Sequence, residues 1–249
     1  MEQLGPSTVV TWLVPLEGHQ FDLEDLPSLL AGSPVSVVVR DDVCCLVIPV
    51  ELIGDGHDVA RVFAEQQIAQ INGAARLLWS SSRPVRATDT IFGLDSMGKT
   101  VSTVLAVTGG EFRMKGGVVS LVTSNEDPSE PQAGAAAEIL AAAARSPAAR
   151  DALTMLGRPT VTWSELYIVF ELVQADVGSR IYELGWVSKS RARWFTRTAN
   201  SYMALGLAGR HGKDRGAPPR VPMSLGEATT LVHDLVRNWI GDVAGRNSE

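Results

Sequence analysis

The chain has 249 residues, of which 45% are hydrophobic and 20% charged, enough apolar material for one large domain or two small ones. Its 22 Lys and Arg against 28 Asp and Glu give a net charge of -6 and a pI near 5.3, which excludes a chain that is basic throughout. No stretch approaches roughly 18 consecutive apolar residues, and MEQLGPSTVVTWLVPLEG has no basic segment leading into an apolar one, so neither a membrane span nor a secretory leader is expected.

The first elements read as strands. STVVTWLVPLEG, SPVSVVVRDD and VCCLVIPVE are rich in β-branched residues and broken by Gly, Pro and Asp. Asp41-Asp42 between two apolar runs predicts a hairpin turn, and FDLEDLPSLL predicts one short helical turn. Strand alternation sends the neighbouring Cys44 and Cys45 to opposite faces, as reduced thiols in a cytoplasmic protein. HDVARVFAEQQIAQING then changes period. Val59, Val62, Phe63, Ile68 and Ile71 fall at helical spacing, with Asp55 or Asp58 as cap and Asn72-Gly73 as the stop. Strands return at 84–92 and 100–109, followed by GGVVSLVT.

SNEDPSEPQAGAAAE, 124–138, has the composition of a linker, and after it the strand signal ceases. EILAAAARS, AARDALTML, 163–177, SRARWFTRTANSYMALGLAG and SLGEATTLVHDLVRNWIG all read helical. Trp163, Leu166, Tyr167, Phe170, Val173 and Val177 form one apolar stripe. Ser224 and Glu227 form a capping box, and His233, one turn before Arg237, is expected to be a partly exposed surface residue. The expected fold class is α+β: an N-terminal, mostly antiparallel β-sheet with one main helix over 1–125, a linker and Ala-rich helix over 126–148, and an all-α helical bundle over 149–249.

GLDSMGKT, 93–100, matches the phosphate-binding pattern G-x-x-x-x-G-K-[ST]. A phosphate loop needs a helix to begin at the Lys-Thr, because its N-terminal amides hold the phosphates. TVSTVLAVT is instead a β-branched run, and no apolar run ending in Asp follows to hold magnesium. The segment is therefore expected to be a β-hairpin turn.

Charge is unevenly spread. Between Arg180 and Arg220 there are nine Lys and Arg but only two acids, Glu183 and Asp214, a local balance of 9 - 2 = +7. Tyr182, Trp186, Trp194, Phe195 and Tyr202 are interleaved with them. A basic surface beside stacking rings suits single-stranded nucleic acid or a nucleotide. The alternative is that the rings are core and the cations a solvated or internally docked face. The candidate ligand-binding residues are Arg191, Arg193, Arg197, Asn200, Arg210, His211, Lys213 and Arg215. No catalytic residue is assigned. If the protein is an enzyme, His211 is the candidate acid/base, with Arg210 and Arg215 stabilising phosphate charge. No His/Cys/Asp spacing suggests a metal, and no cofactor is implied.

WSELYIVFELV, FTRTANSYMALGLAGRHG and PMSLGEATTLVHDLVRNWI, over roughly 150–242, resemble a segment of uncharacterised bacterial proteins with HEPN-like helical domains. The resemblance implies a helical bundle that binds nucleic acid, nucleotide or another protein, with Asn200, Arg210 and His211 as its polar positions. Catalytic HEPN ribonucleases carry Arg, four to six residues, then His. No histidine here has an arginine at that distance before it, so no catalytic residue carries over. The expectation is a non-catalytic binding or accessory protein contacting RNA or a nucleotide through the 189–220 surface. The alternatives are a ribonuclease or nucleotide-processing enzyme centred on His211 and Arg210, and a protein-interaction module or homodimer without a nucleic-acid role.

Overall fold

The computed structural model describes residues 8–33, 35–54, 56–79, 82–105, 133–209 and 218–246. The expected strand GGVVSLVT and most of the expected linker lie outside them. The N-terminal half is a six-stranded antiparallel sheet made of β1 (Thr11–Glu17), β2 (Ser36–Arg40), β3 (Val43–Pro49), β4 (Arg86–Ala87), β5 (Thr90–Leu94) and β6 (Thr100–Leu105). Strand order is β2-β3-β1-β5-β6, with β4 paired to the end of β1. β1 is central because every position from Trp12 to Leu16 is buried, so both of its faces are covered. Asp41 and Asp42 both take positive φ, 51° and 62°, which is the two-residue turn whose twist matches a hairpin.

Alternation divides the sheet's two faces. Trp12, Val14 and Leu16 join Cys44, Leu46, Ile48 and Ile91 in the main core. Leu13, Cys45 and Leu94 form a separate small cluster on the other face, with Val47 and Phe92. The two thiols are thus free, buried and on opposite sides.

Three helices belong to this half: α1 (Gln20–Leu29), α2 (Val50–Ile53) and α3 (His57–Leu78). α1 is a full ten residues rather than a single turn, with Leu26 and Leu29 buried. α3 is the spine of the molecule. It touches β1, β3 and β4 of the sheet and α4 (Ala135–Arg145), α5 (Pro147–Leu156) and α10 (Leu225–Gly245) of the helical half. Its cap is Gly56, not an aspartate side chain.

The helix does not stop at Asn72-Gly73. Asn72 turns its amide to the sheet connection, donating to the Val85 carbonyl at 2.8 Å and accepting from the Val85 N–H at 2.9 Å. A Cβ on Gly73 would lie 2.2 Å from the Leu153 carbonyl oxygen, so the glycine serves close packing of α5 on α3. Gly157 does the same from the other helix, its Cβ position falling 1.9 Å from the Ala69 oxygen.

The helical half continues with α6 (Trp163–Val177), α7 (Arg180–Glu183), α8 (Lys189–Ala199) and α9 (Tyr202–Leu205), a 3-10 turn Gly206–Ala208, and α10. α6 has the bounds its stripe predicts, with a capping box between Thr162 and Glu165, and α10 has the expected box between Ser224 and Glu227. One continuous core runs from Trp12 to Val243. His233 is half-buried, and its Nε2 atom is enclosed and meets no hydrogen-bond partner among the described residues. No helix among the described residues is long and apolar enough to cross a membrane.

Candidate nucleic-acid interface

α8 carries the basic segment, and its sequence fixes which side faces out. Ala192, Phe195, Thr198 and Ala199 are buried. Phe195 sits among Trp163, Tyr167 and Phe170, with ring centroids 6.0, 6.0 and 5.2 Å away. Thr198 Oγ1 donates to the Trp194 carbonyl at 2.9 Å and accepts from the Met223 N–H at 3.1 Å, tying α8 to the start of α10. Trp194 Nε1 donates to the Val221 carbonyl at 2.7 Å. The aromatic interleaving is therefore mixed. Phe195 is core, Trp194 is half-buried and anchored, and Tyr202 is 42% exposed.

The side opposite the core presents Lys189, Arg193 and Arg197, all exposed. Spaced four residues apart, they fall on one stripe with a rise of about 6 Å between neighbours. Arg191 and Arg220 are exposed beside them. Lys189, Arg193 and Arg220 make no ion pair among the described residues, and Lys189 lies 5.9 Å from the Tyr182 ring centroid. Arg191 faces Glu227. That carboxyl is held below its usual range first by the backbone N–H and hydroxyl of Ser224 and only then by Arg191. Lys189 and Arg193 are thus exposed cations without an ion pair among the described residues.

Asn200 is the C-cap of α8, and Ser201 starts α9 by accepting from the Ala204 N–H at 3.2 Å, so the single helix expected over SRARWFTRTANSYMALGLAG is broken there. Asn200 Nδ2 donates to Tyr167 Oη at 3.2 Å and to the Thr196 carbonyl at 2.9 Å, while its Oδ1 is enclosed without a partner among the described residues. The Asn200 amide is thus an interhelical tie with one acceptor left over. Tyr167 is the residue sequence reasoning missed; it was absorbed into the apolar stripe of α6, and only its hydroxyl distinguishes it. Arg191, Arg193, Arg197 and Asn200 are brought onto one helix; Arg210, His211, Lys213 and Arg215 lie outside the described residues.

The other nucleotide-site candidate, GLDSMGKT, is a hairpin. β5 and β6 are paired antiparallel, and the turn closes with Asp95 N–H donating to the Lys99 carbonyl at 3.0 Å and Gly98 N–H to the Asp95 carbonyl at 2.9 Å. The Asp95 carboxylate accepts from the N–H groups of Met97 and Lys99, both at 2.9 Å. Amides that would cradle a phosphate are thus already held by an anion, and a strand begins at Thr100 where a helix is needed. Among the described residues no group of three or more His, Cys, Asp or Glu is placed to hold a metal ion. Comparison with protein-family models, curated proteins and solved structures gives no match.

Proposed function

We propose that this protein is a non-catalytic binding protein for single-stranded RNA or a nucleotide, contacted through the outer face of α8. The observation that carries the reading is the exposed stripe of Lys189, Arg193 and Arg197, flanked by Arg191 and Arg220, on a chain whose net charge is -6. Concentrating cations against the sign of the whole molecule focuses an anionic ligand on one face. Tyr202, exposed at the start of α9, offers a ring for base stacking. The resemblance of 150–242 to HEPN-like bundles supports the same class of ligand, and the missing Arg-x4-6-His spacing supports binding without cleavage.

The test is fluorescence anisotropy of a labelled 12-nucleotide RNA with the intact protein and with Lys189→Gln/Arg193→Gln. Both positions are exposed, so the variant keeps its fold, as circular dichroism checks. Each lost phosphate contact costs about 1 kcal/mol or more, so the double variant binds at least about 30-fold more weakly. Equal binding by both proteins contradicts the assignment, and cleavage of the RNA in the same tube contradicts the non-catalytic part. No binding by either protein favours the protein-interaction reading.

A further inference from the structure

The sheet holds a second feature that the α8 reading does not use. Its outer face, away from the main core, is hollowed into a cavity of about 530 Å³. That size lies within the usual range for small-molecule sites. The floor is apolar: Leu13 and Cys45, each 4% exposed, with Pro15 and Phe92. Register explains the convergence, because Leu13 pairs with Phe92 on one side and Pro15 with Cys45 on the other, so all four side chains share one face.

The rim is polar and contains one cation. Arg40, at the end of β2, is the single Lys or Arg among the lining residues. Among the described residues it pairs with Asp41, also on the rim, at 3.8 Å, and that side chain is 93% exposed. An ion pair that loose and solvated contributes little and yields readily to a better-placed anion. Across the cavity stand Thr90 and Thr100, whose hydroxyls make no hydrogen bond among the described residues. Burial also pushes the Cys44 thiol up to about 11, but Cys44 faces the core; Cys45, on the floor, is likewise raised by burial, so the floor remains neutral.

We infer that this face binds a small monocarboxylate with an apolar chain. The carboxylate pairs with Arg40 at the rim, and the chain lies on Leu13, Pro15, Cys45 and Phe92. Among the described lining residues the single cation and the apolar floor argue against a polyphosphate, and Asp41, the one acid of the lining, stands at the mouth with its side chain 93% exposed, where it holds an ammonium group only weakly.

Calorimetric titration of the full chain with sodium octanoate and, separately, 1-octanol tests it. Octanoate is expected to bind at about 0.1 mM, the range for ten heavy atoms of average efficiency. Arg40→Gln should weaken octanoate about tenfold and leave octanol unchanged, since a charge-assisted hydrogen bond is lost. Val43→Trp, at an exposed lining position, should fill the cavity and abolish both. Absence of octanoate binding at about 5 mM overturns the proposal, because an open site of this affinity is then saturated. Equal affinity for octanoate and octanol overturns the carboxylate assignment, and binding indifferent to both variants places the ligand elsewhere.

Discussion

His233 should make the protein lose stability as pH falls from neutral to mildly acidic. Its imidazole, on α10, is held down to about 4 from an ordinary 6.5, first by burial and then by the positive charges of Arg76 and Arg237, with Asp234 opposing weakly. Both arginines are committed elsewhere. Arg76 caps the C-terminal end of α5 by donating to the Leu156 carbonyl at 2.8 Å and to that of Arg158, and Arg237 Nε donates to the Leu77 carbonyl at 2.9 Å. Neither can move away to admit a third cation. The folded-state value is depressed, so the unfolded chain takes up a proton that the folded protein refuses. The stability is present in full above the ordinary value and is lost as pH falls from 6.5 toward 4. Between about pH 7.5 and about pH 5.0 the linkage amounts to about 2 kcal/mol. Urea unfolding of the protein and of His233→Gln at these two pH values measures it. The variant should lose about 2 kcal/mol less than the parent over the interval. Identical losses in the two proteins would refute the claim that a neutral imidazole is enforced here.

Further expectations concern the α3 spine and the hairpin. Gly73→Ala drives a Cβ into the Leu153 backbone, 2.2 Å from its oxygen, and should cost about 2 to 3 kcal/mol in urea unfolding. Asn72→Ala leaves the buried Val85 N–H and carbonyl without their partners and should cost a similar amount, about 2 to 3 kcal/mol; a loss under about 0.5 kcal/mol means the tie carries no weight. Lys99→Ala should leave both stability and nucleotide affinity unchanged, whereas Asp95→Ala should destabilise the turn by about 1 kcal/mol. ATP binding that depends on Lys99 would contradict the hairpin assignment.

What could be read in the sequence was whatever local chemistry decides. The α6 stripe, both aspartates of the β2–β3 turn, the Ser224/Glu227 box and the strand leading out of GLDSMGKT depend on neighbours a few residues away, and each stands as its pattern predicts. The departures come from distant partners. Asn72-Gly73 has the composition of a helix stop, but α5 and Val85 use those residues for packing and hydrogen bonding. The partial exposure of His233 was legible, but the charge of Arg76 on α3 beside it was not. The strand expected over 84–92 divides into β4 and β5, with Thr88 Oγ1 donating to the Thr90 carbonyl at 3.2 Å between them. At the candidate interface, the charge of α8 was legible residue by residue. Which arginines share a face followed from helical spacing once Phe195 was known to be core, and the Tyr167–Asn200 tie depended on how α6 and α8 pack.

The proposed binding of a nucleic-acid backbone by α8 rests on its cations. The salt dependence of RNA binding tests it most directly, because each neutralised phosphate of a single strand adds about -0.7 to the slope of log K against log salt. Two contacts, from Lys189 and Arg193, predict a slope of about -1.4, and including Arg191 and Arg220 predicts about -2.8. Lys189→Gln/Arg193→Gln should flatten the slope by about 1.4. A slope near zero, or one that the double variant leaves unchanged, would rule out phosphate binding by α8.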